Sequence, residues 1–131
     1  MKTEKFILPR TGDRPLTFRG KLLKAVSSRQ HQGACQNRYW GLTLYRTESD
    51  KFVLRIHYNT QWQGEHDTDT VMIASTPAKL AERLRAHNFL AGCYGFPRGH
   101  EERQQQLEKA LTACWDKAVS ELLSVLEPEE L

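Results

Sequence analysis

Near Ser75 and Thr76 the apolar residues stop recurring at every second position and begin recurring at every third or fourth. Period two marks a strand with one buried face, and spacings of three and four mark an amphipathic helix. The chain is therefore divided into a strand-forming part and a helix-forming part. Neither carries enough apolar surface to close a core by itself, so each is expected to cover the other. The expected fold class is α+β, an antiparallel meander sheet of four or five strands followed by two helices packed on one face. At 131 residues the chain has the length of one ordinary domain. It reads as a single domain over 1–131, strand-rich in 1–75 and helical in 76–127, with an acidic tail at 128–131.

Within the first part, Lys5 to Leu8 is a short strand closed by the turn-rich run from Pro9 to Pro15. Leu16, Phe18, Gly20 and Leu22 then alternate with Thr17, Arg19 and Lys21, which gives a half-buried strand. Ser27 to Asn37 is polar and reads as a long loop. Trp40, Leu42 and Leu44 alternate with Tyr39, Gly41, Thr43 and Tyr45, and Phe52, Leu54, Ile56 and Tyr58 alternate with Val53, Arg55 and His57. These two runs form the clearest hairpin in the chain. The turn between them, Thr47 to Asp50, lacks Asn-Gly or Asp-Gly, so a connection of four residues or more is expected. The loop Gln61 to Asp67 leads to a last strand, Thr68 to Ala74, with Val71 and Ile73 read as facing inward. Short sequential connections of this kind imply an antiparallel meander.

Thr76 is placed as an N-cap and Pro77 at the first helical position, with a stripe of Leu80, Ala81 and Leu84 ending near His87. A second helix is expected from about His100 to Leu126, with Leu107, Leu111, Cys114, Trp115, Ala118, Val119, Leu122 and Leu126 on one face. At about 1.5 Å per residue this stripe is longer than a small sheet covers. It is read as the contact of a homodimer formed through residues 107–126, as a dock for another protein, or as a helix that bends and stays on its own sheet.

Several classes are set aside by composition. The apolar run Phe6 to Leu8 ends at Pro9 and is too short for an export signal. No stretch approaches the roughly 18 apolar residues of a membrane-spanning helix. Cys35, Cys93 and Cys114 are odd in number and far apart, which fits neither a disulfide framework nor a metal or redox motif, so a cytoplasmic location is expected.

Charge is unevenly distributed. Residues 1–58 hold twelve lysines and arginines against four acids, a net +8, and the remainder holds seven against twelve, a net −5. If Leu16, Phe18, Leu42, Leu44, Leu54 and Ile56 pack on the helices, the opposite sheet face presents Thr17, Arg19, Lys21, Thr43, Tyr45, Arg55 and His57. Such a face is either a solvated surface or a basic platform that holds phosphates and stacks bases on Tyr39 or Tyr45.

Three further places carry candidate chemistry. Trp62 has no apolar neighbours in its loop, so it reads either as a binding anchor or as a ring folded over the sheet end. In the same loop Glu65, His66, Asp67 and Asp69 form a cluster, and on an extended backbone Glu65, Asp67 and Asp69 would share one side, a weak cation signal. The connector Phe89 to Gly99 offers Gly92, Gly95, Arg98 and Gly99 as an anion cradle, or else packs over the core edge. Cys93 with His100, or with His57 or His66, is the sole Cys/His arrangement available to a nucleophile. No cofactor motif and no metal-ligand spacing is present. The sequence therefore favours a small non-enzymatic binding or regulatory module acting on a protein partner or on a second copy of itself. Arg19, Lys21, Tyr45, Arg55, His57 and Trp62 are its candidate binding residues, and Arg98 and Gly99 a candidate anion site. A nucleic-acid-binding protein is the alternative, and a small enzyme or ligand binder at residues 92–99 the third reading.

Overall fold

The computed structural model describes residues 3–28, 38–61, 64–91, 93 and 101–126. Five strands, β1 (Glu4–Arg10), β2 (Asp13–Ser27), β3 (Arg38–Thr47), β4 (Phe52–Thr60) and β5 (Thr68–Ala74), form one antiparallel sheet in the order β1-β2-β3-β4-β5. Two helices follow, α1 (Pro77–Ala86) and α2 (Glu101–Leu123). The α+β meander read from the periodicity is the architecture found. No helix among the described residues is long and apolar enough to cross a membrane.

Local chemistry accounts for the boundaries. Gly12, at φ 79°, supplies the left-handed residue of the tight β1–β2 turn, where Arg10 pairs with Asp13. Asp50, at φ 61°, does the same between β3 and β4, and the Thr47 hydroxyl closes that turn by accepting from Lys51 N at 3.0 Å. The Thr76 side chain caps α1 by accepting from Lys79 N at 3.2 Å, with Pro77 in the first turn.

Strand β2 is longer than the alternation indicated, because it serves two neighbours. Its first part pairs with β1, and from Gly20 onward it pairs with β3. The strand crosses β3 so closely at Gly20 that a Cβ there would lie 2.2 Å from the Arg46 carbonyl oxygen. A register shift between Leu22 and Lys24 then inserts one extra residue. The bulge reverses a prediction. Before the bulge Leu22 pairs with Tyr45, whereas after it Val26 pairs with Leu42. Leu16 and Phe18 thus lie on the face opposite the helices, not on the helix face. Val71 likewise turns away from the helices, with Ile73 beside it on the strand.

The sheet consequently has two apolar layers. On the helix side Val26, Trp40, Leu42, Leu44, Leu54, Ile56, Leu80, Leu84, Leu111, Trp115, Ala118 and Leu122 make the main core. Phe89 stacks on Trp115 with centroids 4.8 Å apart, and Trp40 meets both rings edge-on. On the outer side the β1–β2 hairpin folds across the sheet, and Leu8, Tyr45 and Val53 are buried there with Phe6, Leu16, Phe18 and Val71 around them. The hairpin turn reaches β5, where Thr11 N donates to the Asp69 carbonyl at 2.8 Å. The α2 stripe packs on its own sheet: Leu111, Cys114, Trp115, Ala118 and Leu122 are buried, and Leu107, Val119, Leu123 and Leu126 rest against the same core.

Candidate functional site

Only half of the outer face is covered by the hairpin. Strand alternation places Ala25 and Ser27 of β2, Tyr39, Gly41 and Thr43 of β3, Arg55, His57 and Asn59 of β4, and Asp69 of β5 on the other half. One cross-strand row runs Ser27, Gly41, His57, Asp69, and the next runs Ala25, Thr43, Arg55, Val71. Gly41 gives the floor a dip: a Cβ there would meet nothing nearer than the His57 carbonyl oxygen at 4.0 Å.

A charged triplet stands beside this dip. One oxygen of Asp69, Oδ1, accepts from Arg55 Nε at 2.8 Å and lies 2.9 Å from His57 Nδ1. The Arg55 Nη2 group approaches the same oxygen at 2.8 Å. Thr11 holds Asp69 in place from the far side, its hydroxyl accepting from Asp69 N at 2.7 Å. The imidazole is thus oriented by a carboxylate that is itself fixed through the hairpin turn. His57 and Arg55 remain about one-third exposed, at 34% and 30%. They offer directed donors on a rigid scaffold, and the charges of Arg55 and Asp69 cancel.

A second cluster is closed to solvent. Glu65 accepts from Arg38 Nη2 at 2.6 Å and Nε at 3.1 Å, from Tyr58 Oη at 2.7 Å and from Thr60 Oγ1 at 2.9 Å. The Arg38 and Glu65 side chains are 2% and 0% exposed. Burial opposes the charge on Arg38, yet the bonds and charge of Glu65 outweigh it and leave the guanidinium above its ordinary pKa. The Cys93 thiol lies 3.2 Å from Tyr58 Oη, and burial raises both of their pKa values. This network ties the β4–β5 loop and Cys93 to the ends of β3 and β4. A thiol so placed is a poor nucleophile, because the thiolate is the reactive form.

The structure divides the residues that the sequence grouped together. Arg55 and His57 converge. Arg19 and Lys21 lie on the opposite side of the sheet, where Arg19 Nε is 3.7 Å from Glu48 and Lys21 pairs across the ladder with Arg46. Tyr45 is 7% exposed, packed against Phe6 and Phe18 with its phenol pKa raised by burial, so it is not a surface stacking ring. Glu65, Asp67 and Asp69 do not share a side. Glu65 turns inward to Arg38, Asp67 accepts from Thr60 N at 2.9 Å, and Asp69 joins Arg55. No cluster of three or more metal-ligating side chains occurs among the described residues. Trp62, Arg98, Gly99, Gly92, Gly95 and His100 lie outside the described residues.

Sequence reasoning missed the partnership of His57 with Asp69 and the whole Arg38–Glu65 network. The first was within reach, since a hairpin from β4 to β5 carries a definite pairing register. The second joins residues 27 positions apart across a loop and leaves no periodic trace. No protein-family model, curated protein or solved structure matches the chain.

Proposed function

We propose that this protein is a small non-enzymatic binding module that recognises a protein partner through the open half of its outer sheet face. The observation that carries the reading is the Arg55–His57–Asp69 triplet, partly exposed and held by hydrogen bonds beside the dip at Gly41. Fixed donors on strands lose little entropy when they meet a partner's polar groups, and Tyr39 and Thr43 extend the same floor. Cys93 supports the non-enzymatic reading, since its thiol is buried and bonded to Tyr58. Cys93 and Cys114 are buried free thiols, in keeping with a cytoplasmic setting.

A protein partner is favoured over nucleic acid on two grounds. Polyanion binding draws on a surplus of positive charge, and here Arg55 is offset by Asp69, Arg19 by Glu48 and Arg46 by Asp50. Of the two rings assigned to base stacking, Tyr45 is part of the outer core, which leaves Tyr39 alone on the open floor. The test is affinity capture with the wild type and with Arg55→Ala, His57→Ala and Arg19→Ala, each checked for its fold by circular dichroism. Arg55→Ala and His57→Ala should lose the partner that Arg19→Ala retains. Equal recovery by all three variants refutes the site. Binding of a labelled single-stranded oligonucleotide that weakens steeply with salt, with a shallower slope in Arg55→Ala, establishes the nucleic-acid alternative instead.

A further inference from the structure

We infer that the cavity between the start of β1 and the β3–β4 turn is a binding site for a single phosphate group, held by Lys21 and Arg46. The site lies on the other side of the sheet from the Arg55–His57–Asp69 floor and does not depend on how that floor is used.

The ladder register sets the two cations side by side. Lys21, Arg46 and Phe52 form one cross-strand row, and Phe52 belongs to the main core, so both cations leave the sheet on the helix side. The β-carbons of directly opposed residues lie about 5 Å apart, and like charges placed there repel. The strands have no slack to relieve this, because β2 makes its close crossing of β3 beside the pair, at Gly20. An anion set between Lys21 and Arg46 removes the repulsion.

The chain answers these charges only in part. Arg19 has Glu48 at 3.7 Å, and Glu48 also accepts from the Thr3 hydroxyl. Lys21 has no ion pair among the described residues. Arg46 Nε lies 3.4 Å from Asp50 Oδ1 but makes no hydrogen bond to it, and it has no other acceptor although it is shut off from solvent. Buried donors nearly always have an acceptor, so this one is suited to a group that the chain does not itself supply. The guanidinium lies over the Phe52 ring, with Cζ 5.6 Å from the centroid, which holds it in position. The side chain is otherwise 43% exposed, so its fork can be reached.

A cavity of about 490 Å³ opens at this point, lined by Thr3, Lys21, Arg46, Thr47, Glu48 and Asp50. A lysine point charge beside an arginine fork matches the several acceptor oxygens of a phosphate. The carboxylates of Glu48 and Asp50 on the rim set the limit. One phosphate is accommodated between the cations, whereas an extended polyanion meets both acids. Asp50 is an internal stand-in for the ligand. Its exposed carboxylate occupies, out of line, the place beside Arg46 that a phosphate oxygen takes, so binding displaces it.

Amide NMR titration with inorganic phosphate at constant ionic strength, with chloride as the control anion, tests the inference. The wild type should show saturable shifts centred on Lys21, Arg46 and Asp50 that chloride does not reproduce. Lys21→Gln and Arg46→Gln should each weaken binding roughly tenfold. Asp50→Asn should tighten it roughly threefold, since the competing carboxylate is gone. Asparagine tolerates the left-handed backbone that Asp50 holds at φ 61°, so this variant keeps the turn. Glycerol 3-phosphate titrated in parallel identifies the source of the group: tighter binding than phosphate assigns the site to a phosphate monoester, and equal or weaker binding to the free ion. Shifts that fail to saturate or that chloride reproduces overturn the inference. So does binding unchanged in Lys21→Gln, or an Asp50→Asn variant that binds no more tightly than the wild type. Those two variants decide the matter even if Arg46→Gln fails to fold.

Discussion

At the scale of single residues, the groups with the most chemical character are the ones most tightly held. Arg38 and Glu65 form a buried pair in which every partner matters, because truncating one leaves the other charged and desolvated. Glu65→Ala is expected to cost about 3–5 kcal/mol in denaturant unfolding, a large share of the stability of a domain this size. Arg38→Met combined with Glu65→Met should recover most of that loss, and a double variant as unstable as the single would show that the pair is not the source. His87 gives a pH signature. It lies 5.8 Å from Trp115 with its pKa lowered from 6.5 by burial. The unfolded chain therefore binds a proton that the native state refuses, so stability rises with pH between the lowered value and 6.5 and is lost as pH falls through that window. His87→Phe should flatten this part of the stability profile between about pH 7 and pH 5, measured by thermal midpoints. An unchanged slope would assign the acid sensitivity to other groups.

At the scale of elements, β2 decides how the sheet is used. Its alternation was readable from Leu16 to Leu22, but the sense in which it joins β3 was not. The bulge between Leu22 and Lys24 depends on how neighbouring backbones pair, a long-range matter. Two glycines lying on adjacent strands should respond in opposite ways. Gly20→Ala places a methyl group against the Arg46 carbonyl, and refolding should lose at least the roughly 1–3 kcal/mol typical of overpacking. Gly41→Ala has room and removes a flexible residue from a strand, so the fold should be unharmed or gain roughly 0.5–1 kcal/mol. If the floor at Gly41 is the recognition surface, the same change should weaken capture of the partner, a separation of stability from binding that a purely structural glycine would not give. The α2 stripe was read correctly as apolar. Whether it covered its own sheet was beyond the reach of spacing alone, since helix length does not reveal how the sheet curves beneath it.

At the scale of the whole molecule, strands and helices share one core in which Trp40, Phe89 and Trp115 meet across the layers. Unfolding should therefore be one cooperative transition, with far-ultraviolet circular dichroism and tryptophan fluorescence giving the same midpoint. Two separated midpoints would mean that the hairpin side, with its smaller cluster of Leu8, Tyr45 and Val53, melts independently. The positive surplus of residues 1–58 also looks different in three dimensions. Arg19, Lys21, Arg55 and His57 shared a parity in the linear alternation, but the reversal in β2 sends the first two to one side and the last two to the other. The sequence by itself determined the order of the elements, the change from strand to helix at Thr76 and the antiparallel meander, because periodicity, capping and loop length are properties of neighbouring residues. Only the tertiary structure decided which residues meet: that Tyr45 is covered by Phe6 and Phe18, that Glu65 turns inward to Arg38, and that His57 is held by Asp69 beside an open floor. The first is set by the bulge in β2, the second by a loop that returns to a strand 27 positions away, and the third by the register of β4 on β5, all of which act between segments and not within one stretch of chain.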